Sequence, residues 1–320
     1  MNEDLSVFLD PETRGSLSPG NESGLVSEEG IVYPVVKGIP RFVGSENYAQ
    51  AFGSQWNDFP KTQLDSHTGL PITEERLKRC FQGRLPDIRG RKVLEAGSGA
   101  GRFTEILLKY GARLHSFDFS LAVEANASNN GPHASLSLAQ ADIRRIPYPR
   151  ANYDFVVCLG VIQHTPDPEE SIRHLWEMVA PGGHLVIDHY RKKRRDLLPL
   201  PNKAYRAIIR RLPSRYQMKV VKSLTDFWFP IYWRLRDFPL ALSVLGKLSP
   251  LCFYYPGIAL ADRQMHYEWS LLDTHDATTD WYKHLRTADE IKGLLESMGA
   301  ESITVANDGN GVEAFCTKPV

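Results

Sequence analysis

Short apolar runs and longer amphipathic segments alternate through the middle of the chain, from residue 91 to residue 190. Strand-like KVLEA precedes helix-like RFTEILLKY, ARLHSFDF precedes LAVEANASN, and the region closes with EESIRHLWEMVA and HLVIDHY. This alternation is typical of βαβ units, in which parallel strands form a sheet and helices cover its faces. It predicts an α/β fold, and ligands of such sheets bind at the carboxyl ends of the strands.

The alternation stops after Tyr190 and returns near residue 271. Between these points lie basic and aromatic helical pieces that are interrupted by prolines, at positions 201, 213, 230, 239, 250 and 256. TADEIKGLLESMG then predicts a helix that begins at the capping residue Thr287 and ends at Gly299. ESITVA and GVEAFCT predict a closing antiparallel pair of strands. We expect a core of residues 91–190 and 271–320, with a helical cap inserted at 191–270.

The N-terminal part follows other patterns. Residues 1–24 are rich in Ser, Gly, Pro and acids, which predicts a flexible leader, and residues 25–90 are expected to hold a small β-hairpin and helices. The hairpin is predicted for GIVYPVVKGIPRFV, with its turn at Lys37-Gly38. In ENYAQAFGSQWNDF the aromatic residues recur every four positions, as on one helix face: Tyr48, Phe52 and Trp56. They form either part of the core or a lid over a ligand.

Composition narrows the class of protein. Of the 320 residues, 42% are hydrophobic, and 38 basic residues balance 38 acidic ones, so the overall charge does not favour a nucleic-acid partner. The four cysteines lie far apart, at positions 80, 158, 252 and 316, which indicates neither a disulfide framework nor a metal site. The acidic start lacks the features of a signal peptide, and no run of about eighteen apolar residues occurs. A cytoplasmic protein is expected.

A glycine loop follows the first strand of the alternating region, in VLEAGSGAGRF. A dinucleotide-binding fingerprint has the spacing G-x-G-x-x-G, whereas Gly97, Gly99 and Gly101 are evenly spaced and Arg102 stands where that fingerprint has its last glycine. A phosphate-binding loop needs Gly-Lys-Ser or Gly-Lys-Thr, which this loop lacks. The loop therefore fits poorly to either of the two common phosphate-binding motifs.

Three acids follow the first three strands of this region. Glu95, against the loop, would repel a pyrophosphate but attract an ammonium or sulfonium group. Asp118 can accept hydrogen bonds from ribose hydroxyls, and Asp142 can accept one from an exocyclic amine. Together these acids describe a ligand with a ribose, an amine-bearing base and a cation, which is the composition of S-adenosylmethionine.

The segment from Arg91 to Asp188 resembles a class I S-adenosylmethionine-dependent methyltransferase of the E-x-G-x-G-x-G group. Besides the loop, ADI at 141–143, CLGVIQHTPDP at 158–168 and VAPGGHLVID at 179–188 carry the resemblance. It implies a doubly wound, mostly parallel seven-stranded sheet and S-adenosylmethionine as cofactor, with S-adenosylhomocysteine as product. The residues expected to bind the cofactor are Glu95, Gly97, Gly99, Gly101, Asp118, Phe119, Asp142, Ile143, Leu159, Tyr48 and Trp56.

Methyl transfer is an in-line displacement at a sulfonium, so the protein mainly aligns two reactants, and a base can help to remove the acceptor's proton. His164, just beyond the fourth strand, is the first candidate for that base, or else it braces the loop. His189 follows the fifth strand on the same rim. His275 and His284 lie in DTHDATTDWYKHLRT, a polar run that either recognises an anionic acceptor or is a solvated loop.

The inserted segment is expected to determine the acceptor. Residues 191–222 contain twelve Lys or Arg against one acid, and apolar residues recur there at helical spacing, at 205, 208, 209 and 212. A basic amphipathic helix of this kind suits a membrane surface or an anionic partner. The segment predicts either a solvated basic face of the cap or a peripheral membrane contact that recruits an amphiphilic or anionic acceptor.

These patterns favour an enzyme that methylates a small molecule or a glycoconjugate, with oxygen as the acceptor atom by default. Two alternatives stay open. An RNA methyltransferase would use the basic stretch against phosphates, although an N/D-P-P-Y motif is missing after the fourth strand. A non-catalytic protein would bind S-adenosylmethionine without transferring its methyl group.

Overall fold

A computed structural model of the chain describes residues 5–20, 24–44, 53, 56, 59–192, 201–309 and 311–320. Its strands are β1 (Leu17–Pro19), β2 (Gly24–Ser27), β3 (Val32–Val36), β4 (Ile39–Pro40), β5 (Lys92–Ala96), β6 (Arg113–Asp118), β7 (Leu136–Gln140), β8 (Tyr153–Cys158), β9 (Val179–Tyr190), β10 (Glu301–Ala306) and β11 (Gly311–Thr317). The α-helices with described bounds are α1 (Asp65–Thr68), α2 (Ile72–Cys80), α3 (Arg102–Lys109), α4 (Val123–Asn130), α5 (Pro168–Met178), α6 (Pro201–Ile209), α7 (Ser214–Arg234), α8 (Pro239–Leu248), α9 (Arg263–Thr279) and α10 (Ala288–Ser297).

Seven strands form the main sheet, in the order β10-β11-β9-β8-β5-β6-β7. The five strands from β9 to β7 in this order are parallel, β11 pairs antiparallel with β9, and β10 pairs antiparallel with β11. The predicted mostly parallel seven-stranded sheet is therefore confirmed. From β5 the chain builds outward to β6 and β7 and then returns to β8 on the other side. This reversal makes the carboxyl ends of β5 and β8 the expected ligand position.

Helices cover both faces of the sheet because successive side chains of a strand point in opposite directions. Leu94 of β5 lies in a core that includes Leu175 of α5. Its neighbour Val93 lies in a second core that includes Ile106 of α3. Both strand residues are fully buried, so the sheet is wound on two sides, as predicted.

A separate antiparallel sheet of β1 to β4 precedes the main one. Lys37 and Gly38 both have positive φ and join β3 to β4, as the predicted hairpin requires. Residues 5–20 depart from the predicted flexible leader. Phe8 is 3% exposed and its ring contacts that of Tyr148. This polar segment is held by a few contacts with a core that is distant in sequence. Such contacts cannot be predicted from the composition of the segment itself.

Helices α6 to α9 form the inserted segment, which has apolar clusters of its own. Val221 and Leu271 join α7 to α9 in one cluster, and Phe229 lies in another. Helix α9 continues past residue 270, where the cap was expected to end, and the first part of the polar run at 273–287 is therefore helical and largely buried instead of a solvated loop. Within the described residues, no helix combines the length and apolar character needed to cross a membrane.

Candidate functional site

The glycine loop between β5 and α3 packs closely against two neighbouring elements. Gly97 has a φ of +76°, and a Cβ at this position would overlap the side chain of Val161, which follows β8. Gly101 has a φ of +89°, and a Cβ there would overlap Asn130 of α4. Glycine is required at both positions because any side chain would push the loop away from these neighbours.

Asp118, at the end of β6, holds the loop from the side. Its Oδ2 atom accepts a hydrogen bond of 2.8 Å from the backbone N–H of Gly99, and its Oδ1 atom accepts two from Ser120. Burial raises the pKa of this carboxyl group. Part of the side chain still lines a cavity above the loop, where it can accept hydrogen bonds from a ligand.

Glu95, at the end of β5, lies beneath the loop and is 2% exposed. Its Oε2 atom accepts hydrogen bonds from the hydroxyl groups of Thr104 and Ser116, at 2.6 and 2.8 Å. Its Oε1 atom has no hydrogen-bond partner in the described part of the chain. Burial, with a smaller contribution from the negative charge of Asp118, raises the pKa of Glu95 to about 7. An uncompensated buried carboxylate of this kind would be stabilised by a nearby cation.

The cavity above the loop has a volume of about 550 Å³, which is in the range of small-molecule sites. Its floor includes the glycine loop and Asp118, and one wall is formed by Leu159 and Val161 after β8. The hydroxyl group of Ser98 is buried there without a described partner. The unpaired hydroxyl group of Ser98 and the carboxylate of Asp118 in the cavity, with the uncompensated carboxylate of Glu95 behind the loop, fit S-adenosylmethionine, the cofactor that the resemblance implies.

Helix α9 of the inserted segment forms the opposite wall. The side chains that face the cavity recur at helical spacing: Trp269, Asp273, Asp276 and Ala277. Asp273 accepts hydrogen bonds from Nε2 of Gln63 at 2.9 Å and from Nε1 of Trp269 at 3.2 Å. Burial raises the pKa of Asp273 to about 6 and also raises that of Asp276. The cap thus presents two carboxyl groups to the cavity.

The end of β9 contributes Asp188 and Tyr190 to the same region. Asp188 accepts a hydrogen bond of 2.6 Å from the backbone N–H of Gly160 and pairs with Arg76, which fixes the turn after β8. Tyr190 lines the cavity, and burial raises the pKa of its hydroxyl group well above the ordinary value. Tyr190 is therefore a neutral hydrogen-bond donor at neutral pH.

His164 also lines the cavity and is held from behind by an acid. Its Nδ1 atom lies 3.4 Å from Oδ2 of Asp280 and 3.1 Å from the carbonyl oxygen of Tyr282. Asp280 is fully buried and also pairs with Arg206 of α6 and with Lys283. Burial alone would raise the pKa of Asp280, but the neighbouring imidazole of His164 and the charge of Lys283 keep it below the ordinary value. The ionised Asp280 and the carbonyl oxygen of Tyr282 favour the tautomer of His164 that carries its proton on Nδ1.

The predicted residues divide between the cavity and its surroundings. Those that line it are Gly97, Gly99, Asp118, Phe119, Leu159, Trp56 and His164. Glu95 and Gly101 lie behind the loop. Asp142 is bound by Arg144 at 2.7 Å and Ile143 is 6% exposed in the core, and neither lines the cavity. Tyr48 and Phe52 lie outside the described residues.

The other candidate bases do not line the cavity. His189 is 1% exposed, its Nδ1 atom contacts the carbonyl oxygen of Tyr190, and burial lowers its pKa. His275 is equally buried, within α9, and burial lowers its pKa to about 4. His284 stacks on Tyr282. The structure therefore brings only His164 of the four next to the loop.

Several cavity residues escaped the sequence analysis. Gln63 and Arg76 precede the alternating region and belong to no motif. Arg102 was noted only as a departure from a fingerprint. Trp269, Asp273 and Asp276 do carry a signal, since their spacing follows one helix face, although the polar run at 273–287 was expected either to recognise an anionic acceptor or to be a solvated loop.

Comparisons with known proteins point to the same region. The family described as "Methyltransferase domain" matches residues 94–187. The ubiquinone biosynthesis O-methyltransferase of Photorhabdus laumondii is 27% identical over 153 residues, which are 47% of this chain and 62% of that protein. The enzyme of the same name from Coxiella burnetii is 29% identical over 102 residues, 31% of this chain and 44% of that protein. The chain thus spans less than two thirds of the length of these relatives.

Among solved structures, an S-adenosylmethionine dependent methyltransferase from Mesorhizobium loti aligns with 75% of this chain and 96% of its own, at 16% identity and a TM-score of 0.43. The family match begins in β5 and ends in β9, and so contains the glycine loop, Asp118 and His164.

Proposed function

We propose that this chain, which carries an S-adenosylmethionine-dependent class I methyltransferase domain over residues 94–187, transfers the cofactor's methyl group to a hydroxyl group of a small-molecule acceptor. The observation that carries the proposal is one cavity with the glycine loop and Asp118 on one side and His164 under the cap on the other. The relatives named as O-methyltransferases favour oxygen as the acceptor atom.

The cofactor, when bound, supplies an electrophilic methyl carbon on its sulfonium. Asp118 would accept hydrogen bonds from the ribose hydroxyls, and the glycine loop would hold the amino-acid end. The apolar side chains of Phe119 and Leu159 would flank the base.

The acceptor side depends on residues of the chain itself. His164 would take the proton of the acceptor hydroxyl on Nε2, and Asp280 would hold the imidazole in the orientation and tautomer that this step needs. Tyr190 would donate a hydrogen bond to the acceptor. The cap wall of α9 closes the cavity on this side, so it would select the acceptor and exclude water from the reacting atoms.

Cofactor binding is tested by titration of the full chain with S-adenosylhomocysteine. We expect Asp118→Ala to weaken binding by about tenfold or more, because a charge-assisted hydrogen bond to the ligand is lost. Asp87→Ala is the matched control, since Asp87 is exposed and pairs only with Arg84 in the described contacts. A wild-type protein that does not bind the ligand, or equal loss in both variants, would contradict the proposed site.

Methyl transfer is tested with S-adenosylmethionine labelled on its methyl group and a whole-cell extract of the source organism. We expect label in a small-molecule product that survives ribonuclease, and a fall in the rate of about 100-fold for His164→Ala with unchanged affinity for S-adenosylhomocysteine. Label that disappears with ribonuclease would favour an RNA methyltransferase. Binding without any transfer would favour a non-catalytic protein.

The outer face of the cap supports a peripheral membrane contact and an amphiphilic acceptor. Leu240, Val244 and Leu248 form a stripe on α8 at a spacing of four residues, and they are 86%, 55% and 52% exposed. The only charged residue of α8 is Lys247. Helix α8 is a neighbour of α6, which contains no acid and carries the exposed Lys203, whereas its other basic residue, Arg206, is paired with Asp280. An apolar stripe beside a basic side chain suits the surface of an anionic bilayer.

A further inference from the structure

Three arginines among the described residues line the cavity, and two of them are neutralised by acids. Arg76 pairs with Asp188, and Arg79 pairs with Glu313 at 2.7 Å. Arg102, the first residue of α3, differs from both. Its guanidinium donates to the neutral amide oxygen of Gln63, and no acid lies within ion-pair distance of it among the described residues. Arg102 therefore brings a charge into the cavity that lacks a counterion.

Two polar groups, one within this guanidinium and one on Ser98, also lack hydrogen-bond partners among the described residues. The Nε atom of Arg102 and the hydroxyl group of Ser98 are buried and have no hydrogen-bond partner in the described part of the chain. Ser98 is 3% exposed, and both residues line the cavity beside the glycine loop. Burial lowers the pKa of Arg102 to about 10, so the group stays protonated near neutral pH without a counterion. Unpaired buried donors around an uncompensated cation are the complement of an anion.

We infer that Arg102 and Ser98 bind the α-carboxylate at the amino-acid end of the cofactor. This inference rests on the proposed function, because it takes S-adenosylmethionine to be the ligand of the loop. The α-carboxylate is the anionic group of that cofactor, and Glu95, whose charge suits the ammonium or sulfonium group, lies beneath the same loop. The guanidinium would form a charge-assisted hydrogen bond, which is stronger than one between neutral groups.

The surroundings hold the guanidinium in place for this role. It lies over the ring of Phe103, 4.8 Å from the ring centre. Gln63, which accepts from Arg102, donates in turn to Asp273 of α9 at 2.9 Å. The arginine is thus fixed between the loop and the cap helix, and it loses little side-chain freedom when a carboxylate binds.

The test compares two ligands that differ at the amino-acid end. S-adenosylhomocysteine has the α-carboxylate, whereas methylthioadenosine has the same nucleoside without the amino-acid group. We expect Arg102→Gln to weaken S-adenosylhomocysteine by about tenfold or more in calorimetric titrations and to change the affinity for methylthioadenosine by less than about twofold. Ser98→Ala should act in the same direction with a smaller loss, and Arg102→Lys should recover part of the affinity because it restores the charge.

Arg79→Gln is the control variant, since Arg79 lines the same cavity but already has Glu313 as its counterion. It should leave the ratio of the two affinities unchanged. The inference is overturned if Arg102→Gln weakens both ligands equally or neither of them. Failure of the wild-type protein to bind either ligand would instead overturn the proposed function, so the two failures can be told apart.

Discussion

At the scale of single residues, the buried carboxyl group of Glu95 makes stability depend on pH. Its pKa in the folded protein is about 7 against 4.5 for an ordinary glutamate. Between these values the folded protein holds a proton that the unfolded chain releases, so the free energy of unfolding falls as the pH rises. We expect wild type to lose about 3 kcal/mol relative to Glu95→Gln between about pH 5 and about pH 8, measured by urea denaturation.

Glu74→Gln is the matched control for this prediction. Hydrogen bonds from Lys109 and Tyr110 lower the pKa of Glu74 to about 2. The contribution of Glu74 to stability is therefore lost only when the pH falls below the pKa of an ordinary glutamate. Its curve should therefore run parallel to that of wild type across the same pH range. A parallel curve for Glu95→Gln as well would show that the carboxyl group of Glu95 titrates normally in the folded protein.

Single residues could be predicted where the chemistry lies within a local motif. Glu95 and Asp118 were identified because each ends a strand of the alternating region beside the loop, and the structure places Asp118 at the cavity. Asp273 could not be identified in this way, since its partner Gln63 is separated from it by 210 positions. The sequence does not distinguish the four candidate histidines from one another. Only the folded chain shows that His164 lines the cavity and that the other three do not.

At the scale of elements, the capping box of α10 shows a local signal that determines where a helix begins. The hydroxyl group of Thr287 accepts from the backbone N–H of Glu290, and the Glu290 side chain accepts from that of Thr287 at 2.7 Å. We expect Thr287→Ala to lower the free energy of unfolding by about 1 kcal/mol. Thr287→Ser keeps the hydroxyl group and should stay close to wild type in the same denaturation experiment. Equal losses in the two variants would mean that the methyl group, not the cap, stabilises this turn.

Helices and strands were predicted well where the spacing of the apolar residues agrees with the residues that mark the ends of the element, as for β5, α3 and α10. Helix α9 was missed in part because its last two turns contain Thr, Asp and His, which are weak helix formers. Those residues are nevertheless largely buried, and the hydroxyl group of Thr274 accepts a hydrogen bond of 2.9 Å from the backbone N–H of Cys252, which lies outside the helix. Tertiary contacts here outweigh the local preference against a helix, and such contacts cannot be predicted from short windows of sequence.

At the scale of the whole molecule, the cap has an inner side that closes the cavity and an outer side that carries exposed apolar residues. Of the thirteen large hydrophobic residues that are exposed in the described chain, eight lie between positions 208 and 254. Burying such a surface against a bilayer would remove it from water, and the basic residues of α6 and α7 would add attraction to anionic lipids. We therefore expect the protein to sediment with phosphatidylglycerol-containing vesicles and less so with phosphatidylcholine alone.

The decisive comparison replaces apolar residues by glutamate on two different faces. Leu240→Glu with Val244→Glu changes the cap stripe, and Ile31→Glu with Val32→Glu makes the same change on the N-terminal sheet, where these residues are 41% and 59% exposed. We expect the first pair to reduce the vesicle-bound fraction by about fivefold or more, because each buried charge opposes insertion, and the second pair to leave it unchanged. If both pairs sediment as wild type does, the stripe does not contact lipid. If both pairs lose binding alike, the attraction depends on net charge and not on this face of the cap.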